Sequence, residues 1–512
     1  MDYFHSPEFS ALVTTLIEIN HVPGLSIAIT QDNKTASLSF GLASVPDQTP
    51  CTNDTIFDIA SSAKSLTAGA VALMVDDKAF KDVSWEATMS SMLPDDFVGP
   101  NDDFTNNVTL EDVVSHRTGM AGHDNSYLGQ TSKTPDTAKS ITRNLRNLAI
   151  AAPLRSRYLY NNMLFTALTH LIETKSNTSF ASFLHDRIFT PLAMTSTYLQ
   201  PQAARDAGRA ASIAAGHTWD KSSSSYTTFQ TPDCPEGQGA GSIMTTASDF
   251  ILWVKALLRK EAPLNDRTVG ALTKMRSFVN PSARRTKPFS SPPFYMAGME
   301  VTYYRGAAQV GHDGNIPGFA SRFAFMPDHD FGVVVMANAN SAAPVASALI
   351  RELVDQILNV PISERPRPQV PKAKANKKQP KKDVPIRVKP DAATATATTP
   401  EKKKRTPKNP QERALQDYVG VFNNRGYHNM TVEIKDDELF TDATDRGMGF
   451  TLTFEHVKNQ TEYKAHLWDA LEGGDDLVDA EFVVEDGKIV KMGLDLEPAV
   501  RDLIWFDRVE GQ

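Results

Sequence analysis

The chain holds a Ser-x-x-Lys tetrad, Ser61-Ser62-Ala63-Lys64, preceded by Phe57-Asp58-Ile59-Ala60 and followed by Ser65-Leu66-Thr67-Ala68. Residues three apart on a helix share a face, so this serine stands one turn ahead of a lysine. A hydroxyl is a weak nucleophile near neutral pH and needs a base within reach. Lys64 fills that role once burial or a second cation lowers its pKa. At a first helical turn the serine also faces free backbone N–H groups and the positive end of the helix dipole. By itself, the tetrad reads equally well as a helix N-cap followed by a solvated lysine.

Two further motifs follow in chain order. Tyr160-Asn161-Asn162 precedes the apolar run Met163-Leu164-Phe165-Thr166-Ala167-Leu168. A tyrosine beside Lys64, partly phenolate, would take the serine proton and hand it to the leaving group. Asn162 offers an amide to orient the lysine and to bind a substrate carbonyl. His312-Asp313-Gly314, within Val310–Phe319, reads as an edge strand ending at a glycine. Such a glycine would let backbone pass close to a substrate. The N–H of Asn315, with that of Ser61, would make a two-donor oxyanion hole. Each motif has a plainer reading: Tyr160 as a half-buried helix-entry aromatic, His312 as a surface or capped histidine, Asp313-Gly314 as a turn dipeptide.

Together these segments resemble the serine β-lactamase and penicillin-binding-protein superfamily, in its class C β-lactamase-like branch of esterases, D-aminopeptidases and acyltransferases. The resemblance runs from about residue 10 to about 358, some two-thirds of the chain. It also takes in Val22–Ile29, Asn53–Phe57, Leu110–Met120 and Gly239–Asp249. It implies that Ser61 is acylated, that Lys64 activates it, and that Tyr160 and Asn162 form the second element. His312 and Gly314 match the third element, and Asn315 takes the position of the second oxyanion donor. Two departures stand out. True β-lactamases usually carry lysine where His312 stands, to hold the antibiotic's carboxylate. A histidine is mostly neutral near pH 7, which argues against efficient β-lactam hydrolysis. The usual His-Thr-Ser-Gly becomes His116-Arg117-Thr118-Gly119, a segment that supports the fold more than the chemistry.

The elements that must position these residues are legible in outline. A helix is predicted over 8–20, then a hairpin of Leu25–Thr30 and Ala36–Leu42 around Gln31-Asp32-Asn33-Lys34. The tetrad helix runs from Ser61 to Val75 and is apolar nearly all round, as a buried central helix would be. Residues 80–250 read as helix-rich with long loops. Strands follow at Gly298–Tyr304, Ala307–Val310, Ser321–Met326 and Phe331–Met336, and a helix over Ala343–Leu358 closes the unit. Pattern and resemblance together predict an α+β, β-lactamase/transpeptidase-like fold over 1–360. Its first and last parts form an antiparallel sheet flanked by helices, and its middle an all-helical subdomain.

A linker is predicted over 361–412, dense in Pro, Lys, Ala and Thr and lacking periodic apolar residues. Residues 361–410 carry fifteen Lys/Arg and four Asp/Glu, near +11, against −8 for the whole chain. This basic stretch reads as a solvated tether, or as a segment that meets acidic surfaces or a polyanion. Lys402-Lys403-Lys404-Arg405 resembles a nuclear-localisation patch. Residues 413–512 then read as a separate small antiparallel β-barrel, with short alternating segments and a hairpin turn at Asp486-Gly487. The opening Asp417-Tyr418-Val419-Gly420-Val421-Phe422 resembles lipocalin-like barrels appended to class C-like hydrolases. Such a barrel would hold a small ligand, shield the cleft, or serve as a plain stabilising appendage.

Composition narrows the rest. Of 512 residues, 41% are hydrophobic, ordinary for a globular protein, and no apolar run has the length of a membrane span. Met1-Asp2-Tyr3-Phe4-His5-Ser6-Pro7 lacks a basic n-region and an apolar core, so no signal peptide and a cytoplasmic location are predicted. The two cysteines, Cys51 and Cys234, give no disulfide framework. No zinc-ligand spacing or phosphate loop occurs, and neither a metal nor another cofactor is expected. Nucleic acid is not an expected partner. The functional expectation is a serine hydrolase cleaving a small-molecule ester or amide through an acyl-enzyme on Ser61. Two alternatives stay open: an acyltransferase using the same acyl-enzyme, and a non-catalytic scaffold binding partners through linker and barrel. Oligomeric state is not encoded in any of these features.

Overall fold

The computed structural model describes residues 1–365 and 411–510, which form two compact units. Most of the 361–412 linker, with Lys402–Arg405, lies outside the described residues; Ile362–Glu364 forms a 3-10 turn.

The first unit takes its described residues from 1–81, 172–233 and 238–365. Helix α1 (Pro7–Ile19) starts where Ser6 accepts from the N–H of Phe9, with proline at the first helical position. Phe9, Val13, Leu16 and Ile17 recur at helical spacing and are all buried. Each contributes about 1.5–3 kcal/mol before chain entropy is counted. Strands β1 (Gly24–Gln31) and β2 (Lys34–Ser44) form the expected hairpin. Its two-residue turn, Asp32-Asn33, has both φ angles positive (51° and 64°), the twist that matches a right-handed strand pair.

Helix α2 (Lys64–Asp76) carries the tetrad lysine, and α3 (Ala247–Arg259) lies across the sheet. Strands β3 (Glu300–Tyr304), β4 (Ala307–Ile316), β5 (Phe319–Met326) and β6 (Phe331–Ala337) complete the main strands, and α4 (Ala343–Ile357) follows. Among the described residues the sheet has nine antiparallel strands, with core order β2-β1-β6-β5-β4-β3 and two-residue strands at its margins. The long strands β1 and β6 are central and buried almost throughout, so they read as continuous apolar runs rather than alternating ones. On one face Leu25, Ile27, Ile29, Val333 and Val335 pack against α1 and α4. Toward α3, Phe250 meets Phe323 edge-on at 5.4 Å. Trp253 of α3 donates to Ser65 Oγ at 3.1 Å, and its ring fills the space beside Gly69 of α2.

The middle of the chain is not all-helical. Gly216–Asp220 pairs with Ser225–Phe229 as a hairpin, and Phe57–Asp58, Ile243–Thr245 and Tyr198–Leu199 form a small sheet. Gly-His-Thr-Trp and Ser-Tyr-Thr-Thr-Phe alternate aromatic and β-branched residues, which favours strands over helix.

The second unit takes its described residues from 82–171, 234–237 and 411–510. Its short helices start on side-chain caps, including a full capping box at Thr109 and Asp112. The buried Asp112 carboxylate holds both Arg117 and Arg155, which keep its pKa low despite burial. The last eight strands, β7 (Gly420–Asn424), β8 (His428–Lys435), β9 (Glu438–Ala443), β10 (Phe450–Lys458), β11 (Glu462–Asp469), β12 (Gly473–Glu485), β13 (Lys488–Leu494) and β14 (Ile504–Arg508), close into an antiparallel barrel in chain order. Three of them, β7, β9 and β14, carry polar residues that blur the alternation. The Asp486-Gly487 turn is where the sequence places it, with φ of 47° and 78°. Phe482 meets Tyr418, Tyr463 and Phe454 at ring-centroid distances of 5.1, 5.3 and 5.8 Å. These aromatic side chains form one cluster of the barrel core, beside buried aliphatics such as Leu452 and Met492. The barrel shares its compact unit with residues 82–171. The N–H of Gly129 donates to Asp445 O at 2.8 Å, and Asn144 Nδ2 to Gly426 O at 2.9 Å. No described helix is long and apolar enough to cross a membrane.

Candidate active site

Ser61 lies in a single 3-10 turn, Ala60–Ala63, that runs directly into α2. The turn and the first residue of α2 put Ser61 and Lys64 on one face. Lys64 Nζ donates to Ser61 Oγ at 3.0 Å and to Ala240 O at 2.9 Å, and the lysine is 0% exposed. Thr67, about one turn further on, holds the same backbone segment by donating to Gly239 O at 2.7 Å. Carbonyl acceptors of this kind leave no signature in a sequence, so Ala240 is an addition of the tertiary structure.

The residue before Ser61 is strained. Ala60 has φ of +46°, a left-handed conformation that costs an L-residue about 1–2 kcal/mol. Asp58 steadies it by accepting from the Ala60 N–H at 2.7 Å. Burial pushes the Asp58 carboxyl up to about 6, partly offset by that N–H. An acid with a raised folded-state pKa contributes stability at low pH and loses it as pH rises through the folded value. Asp58→Asn keeps an acceptor for Ala60 and removes the ionisation. The variant should match wild type in urea denaturation near about pH 4 and exceed it near about pH 8, by roughly 3 kcal/mol. Equal differences at both pH values would contradict this account.

Strand β4 passes close to the Ser61 turn. A Cβ on Gly314 would lie 2.2 Å from Ile59 O and 3.1 Å from Ala60 Cβ. The glycine is therefore required by the protein's own backbone. Ser321 fastens the same contact by donating to Ile59 O at 2.7 Å, with Ser62 Oγ at 2.8 Å from its hydroxyl. The strand does not end at Gly314 but continues to Ile316, paired with β5 throughout. The edge reading holds locally: β3 pairs with β4 only up to Gly311, so residues 312–316 have no β3 partner. Asn315 lies in this stretch and is exposed.

His312 is arranged differently from a residue that holds a substrate carboxylate. Its Nδ1 lies 2.5 Å from the Asp313 carbonyl oxygen, which only accepts, so Nδ1 carries the proton. Its Nε2 then accepts from the hydroxyl of fully buried Tyr295 at 2.9 Å. Burial first, and the Lys64 charge second, lower its pKa to about 3. The ring is neutral and turned inward. Tyr295 carries no motif, and sequence reasoning missed it.

Tyr160 and Asn162 belong to the second unit. The Tyr160 ring sits 4.4 Å from the His116 ring. Asn161, to which no role was assigned, is the structural centre of its motif. Its N–H donates to His116 Nδ1 at 3.2 Å, its amide donates to Ala121 O, and its Oδ1 accepts from Leu164 N–H at 2.9 Å. The last bond caps the Asn162–Ser176 helix, a role that Asn before an apolar run does signal. Asn162 Nδ2 donates to Asp124 Oδ1 at 3.0 Å. Within the first unit the structure brings Ser61, Lys64, His312 and Gly314 together; within the second it builds Tyr160 and Asn162 on one rigid turn.

The chain has relatives among known proteins. The chain is 31% identical over 519 residues to "Unguisins hydrolase ungD'" of Aspergillus campestris, covering 98% of this chain and 91% of that one. It is 24% identical over 368 residues to "Penicillin-binding protein 4" of Amycolatopsis lactamdurans, covering 71% and 92%. The octameric penicillin-binding protein homologue from Pyrococcus abyssi shares the fold with a TM-score of 0.60 at 18% identity, covering 98% of this chain and 99% of that one. The D-amino acid amidase from Ochrobactrum anthropi SV3 shares it with a TM-score of 0.54 at 18% identity, covering 69% and 98%. Residues 404–508 match a family described as a domain of unknown function, DUF3471. The family model for "Beta-lactamase" matches residues 9–356, from α1 through the Ser61 turn to the last turn of α4, and the chain belongs to that family of serine β-lactamase-fold hydrolases.

Proposed function

We propose that this protein hydrolyses an amide or ester bond through an acyl-enzyme on Ser61, with unguisins and D-amino-acid amides as the first substrates to try. The observation that carries the reading is the 3.0 Å contact between Lys64 Nζ and Ser61 Oγ, made by a lysine sealed from solvent. Once Lys64 is uncharged, it takes the Ser61 proton as Oγ bonds to the carbonyl carbon. The N–H groups of Ser61 and Asn315 receive the oxyanion. Tyr160 relays the proton to the leaving amine or alcohol, and Asn162 holds the substrate carbonyl side. Water, deprotonated by the same groups, attacks the ester of Ser61 and releases the acid. Neutral His312 has its ring nitrogens engaged by the Asp313 carbonyl and the Tyr295 hydroxyl, which leaves it no charge to pair with an anionic substrate group. That supports neutral amides over β-lactams, whose carboxylate needs a cation. The substrate choice rests on the likeness to the unguisins hydrolase of Aspergillus and to the D-amino acid amidase.

Intact mass after a fluorophosphonate, together with a panel of unguisins, D-amino-acid amides, short-chain esters and nitrocefin, tests the reading. One adduct on Ser61 and turnover of amides or esters ahead of nitrocefin is the expected result. A folded protein that takes the label elsewhere, or turns over no panel member, would refute it.

A further inference from the structure

The barrel's contact with the segment just before Asp124 has a consequence for the Tyr160 motif. His123 is fully buried and left-handed, with φ of 52°. Its Nε2 lies 2.9 Å from Ala149 O and so carries the ring proton; its Nδ1 accepts from the Tyr427 hydroxyl at 2.7 Å. Its backbone N–H donates to Glu497 Oε2 at 2.7 Å, while Glu497 Oε1 accepts from Ala499 N–H at 3.1 Å. Tyr427 is itself held, because Arg446 donates to its carbonyl at 3.1 Å. The next residue, Asp124, accepts from Asn162 Nδ2 and from the Tyr127 hydroxyl, both at 3.0 Å. A Cβ on Gly122 would lie 3.5 Å from Glu497 Oε2 and 3.6 Å from Tyr160 O, so the barrel loop and the tyrosine turn both approach Gly122.

We propose that the C-terminal barrel is a positioning part of the acyl-transfer machinery: Glu497 and Tyr427 lock His123 in its left-handed conformation, and through Asp124 that lock sets the amide of Asn162. Asp124 follows His123 immediately, so the backbone direction at His123 aims its carboxylate. A left-handed non-glycine residue persists only where its surroundings over-determine it, and here the barrel supplies two of the holding bonds. The proposal rests on the reading that Tyr160 and Asn162 act in acyl transfer. Glu497 and Tyr427 touch neither substrate nor reacting atoms, so they are positioning residues.

The test uses the full chain with Glu497→Ala, Glu497→Gln and Tyr427→Phe, and with Ser61→Ala in parallel. Readouts are kcat, KM and melting temperature on the most active panel substrate. Glu497→Ala should lower kcat about 10–100-fold with little change in KM, as expected when a reacting group is displaced by about 1 Å. Glu497→Gln, which keeps an oxygen for the His123 N–H, should recover most of that loss. Tyr427→Phe should lower kcat about tenfold at an assay temperature well below its melting point. Wild-type kcat in Glu497→Ala would overturn the proposal. So would an equal loss in the Gln variant, or a loss that merely tracks the unfolded fraction. If Glu497→Ala does not fold, Tyr427→Phe decides, since it removes one oxygen atom. Failure of the underlying reading would show separately, as turnover that survives Ser61→Ala.

Discussion

Replacing Ser61 with alanine should lower kcat roughly 10⁴–10⁶-fold and leave the protein folded. The nucleophilic oxygen has no substitute within its turn. Lys64 keeps its bond to Ala240 O when Ser61 Oγ is gone, so the buried ammonium is not orphaned. The 3-10 turn is held by backbone bonds, including Lys64 N–H to the Ser61 carbonyl, and Gly314 still packs against Ile59. Melting should therefore shift by no more than a few degrees. Steady-state kinetics on the best panel substrate, with intact mass after the fluorophosphonate, measures both parts. A Ser61→Ala protein that turns over at the wild-type rate would place the nucleophile elsewhere.

Lys64→Met should lower kcat roughly 10²–10⁴-fold, the usual worth of a positioned base. Methionine keeps nearly the same volume in a fully buried site, so packing changes little. Two stability terms oppose one another. Ala240 O loses a buried donor, a cost of about 1–3 kcal/mol. A buried charge is also removed, which is often neutral or stabilising. The variant should thus melt close to wild type while labelling slowly with the fluorophosphonate. It should also raise the His312 pKa above its wild-type value of about 3, because the Lys64 charge is the second cause of that depression. Burial, the larger cause, remains, so the ring stays below an exposed histidine. NMR titration of the His312 ring reads this directly, and an unchanged value would show that the two groups do not interact.

The route from sequence to site was uneven for identifiable reasons. The Ser61–Lys64 pair was legible because helical spacing alone sets which side chains share a face. The buried tetrad helix, the β1–β2 hairpin and the Asp486-Gly487 turn were legible because apolar pattern and turn chemistry are local. His312 was legible as a position but not as an environment. Its neutrality depends on burial and on the Lys64 charge, and its tautomer on the Asp313 carbonyl and on Tyr295, seventeen residues earlier. The contact of Gly314 with Ile59 O was not legible, because it joins two distant parts of the chain. Asn161 was passed over for Asn162, although an Asn before an apolar helix is a cap signal. The hairpin at 216–229 was lost in a region read as helical because strands of five residues carry weak periodicity.

The amino-acid sequence by itself determined the Ser61–Lys64 spacing, the order of the three motifs and the presence of a β-rich C-terminal segment. These follow from spacing along the chain, and spacing survives without coordinates. Only the tertiary structure decided which carbonyl holds Lys64, which tautomer His312 adopts, why position 314 has no side chain, and that Tyr427 and Glu497 reach His123. Those contacts join residues up to 374 positions apart and end on backbone atoms or ring nitrogens. No residue type announces such a partner, because packing, not sequence proximity, brings it there.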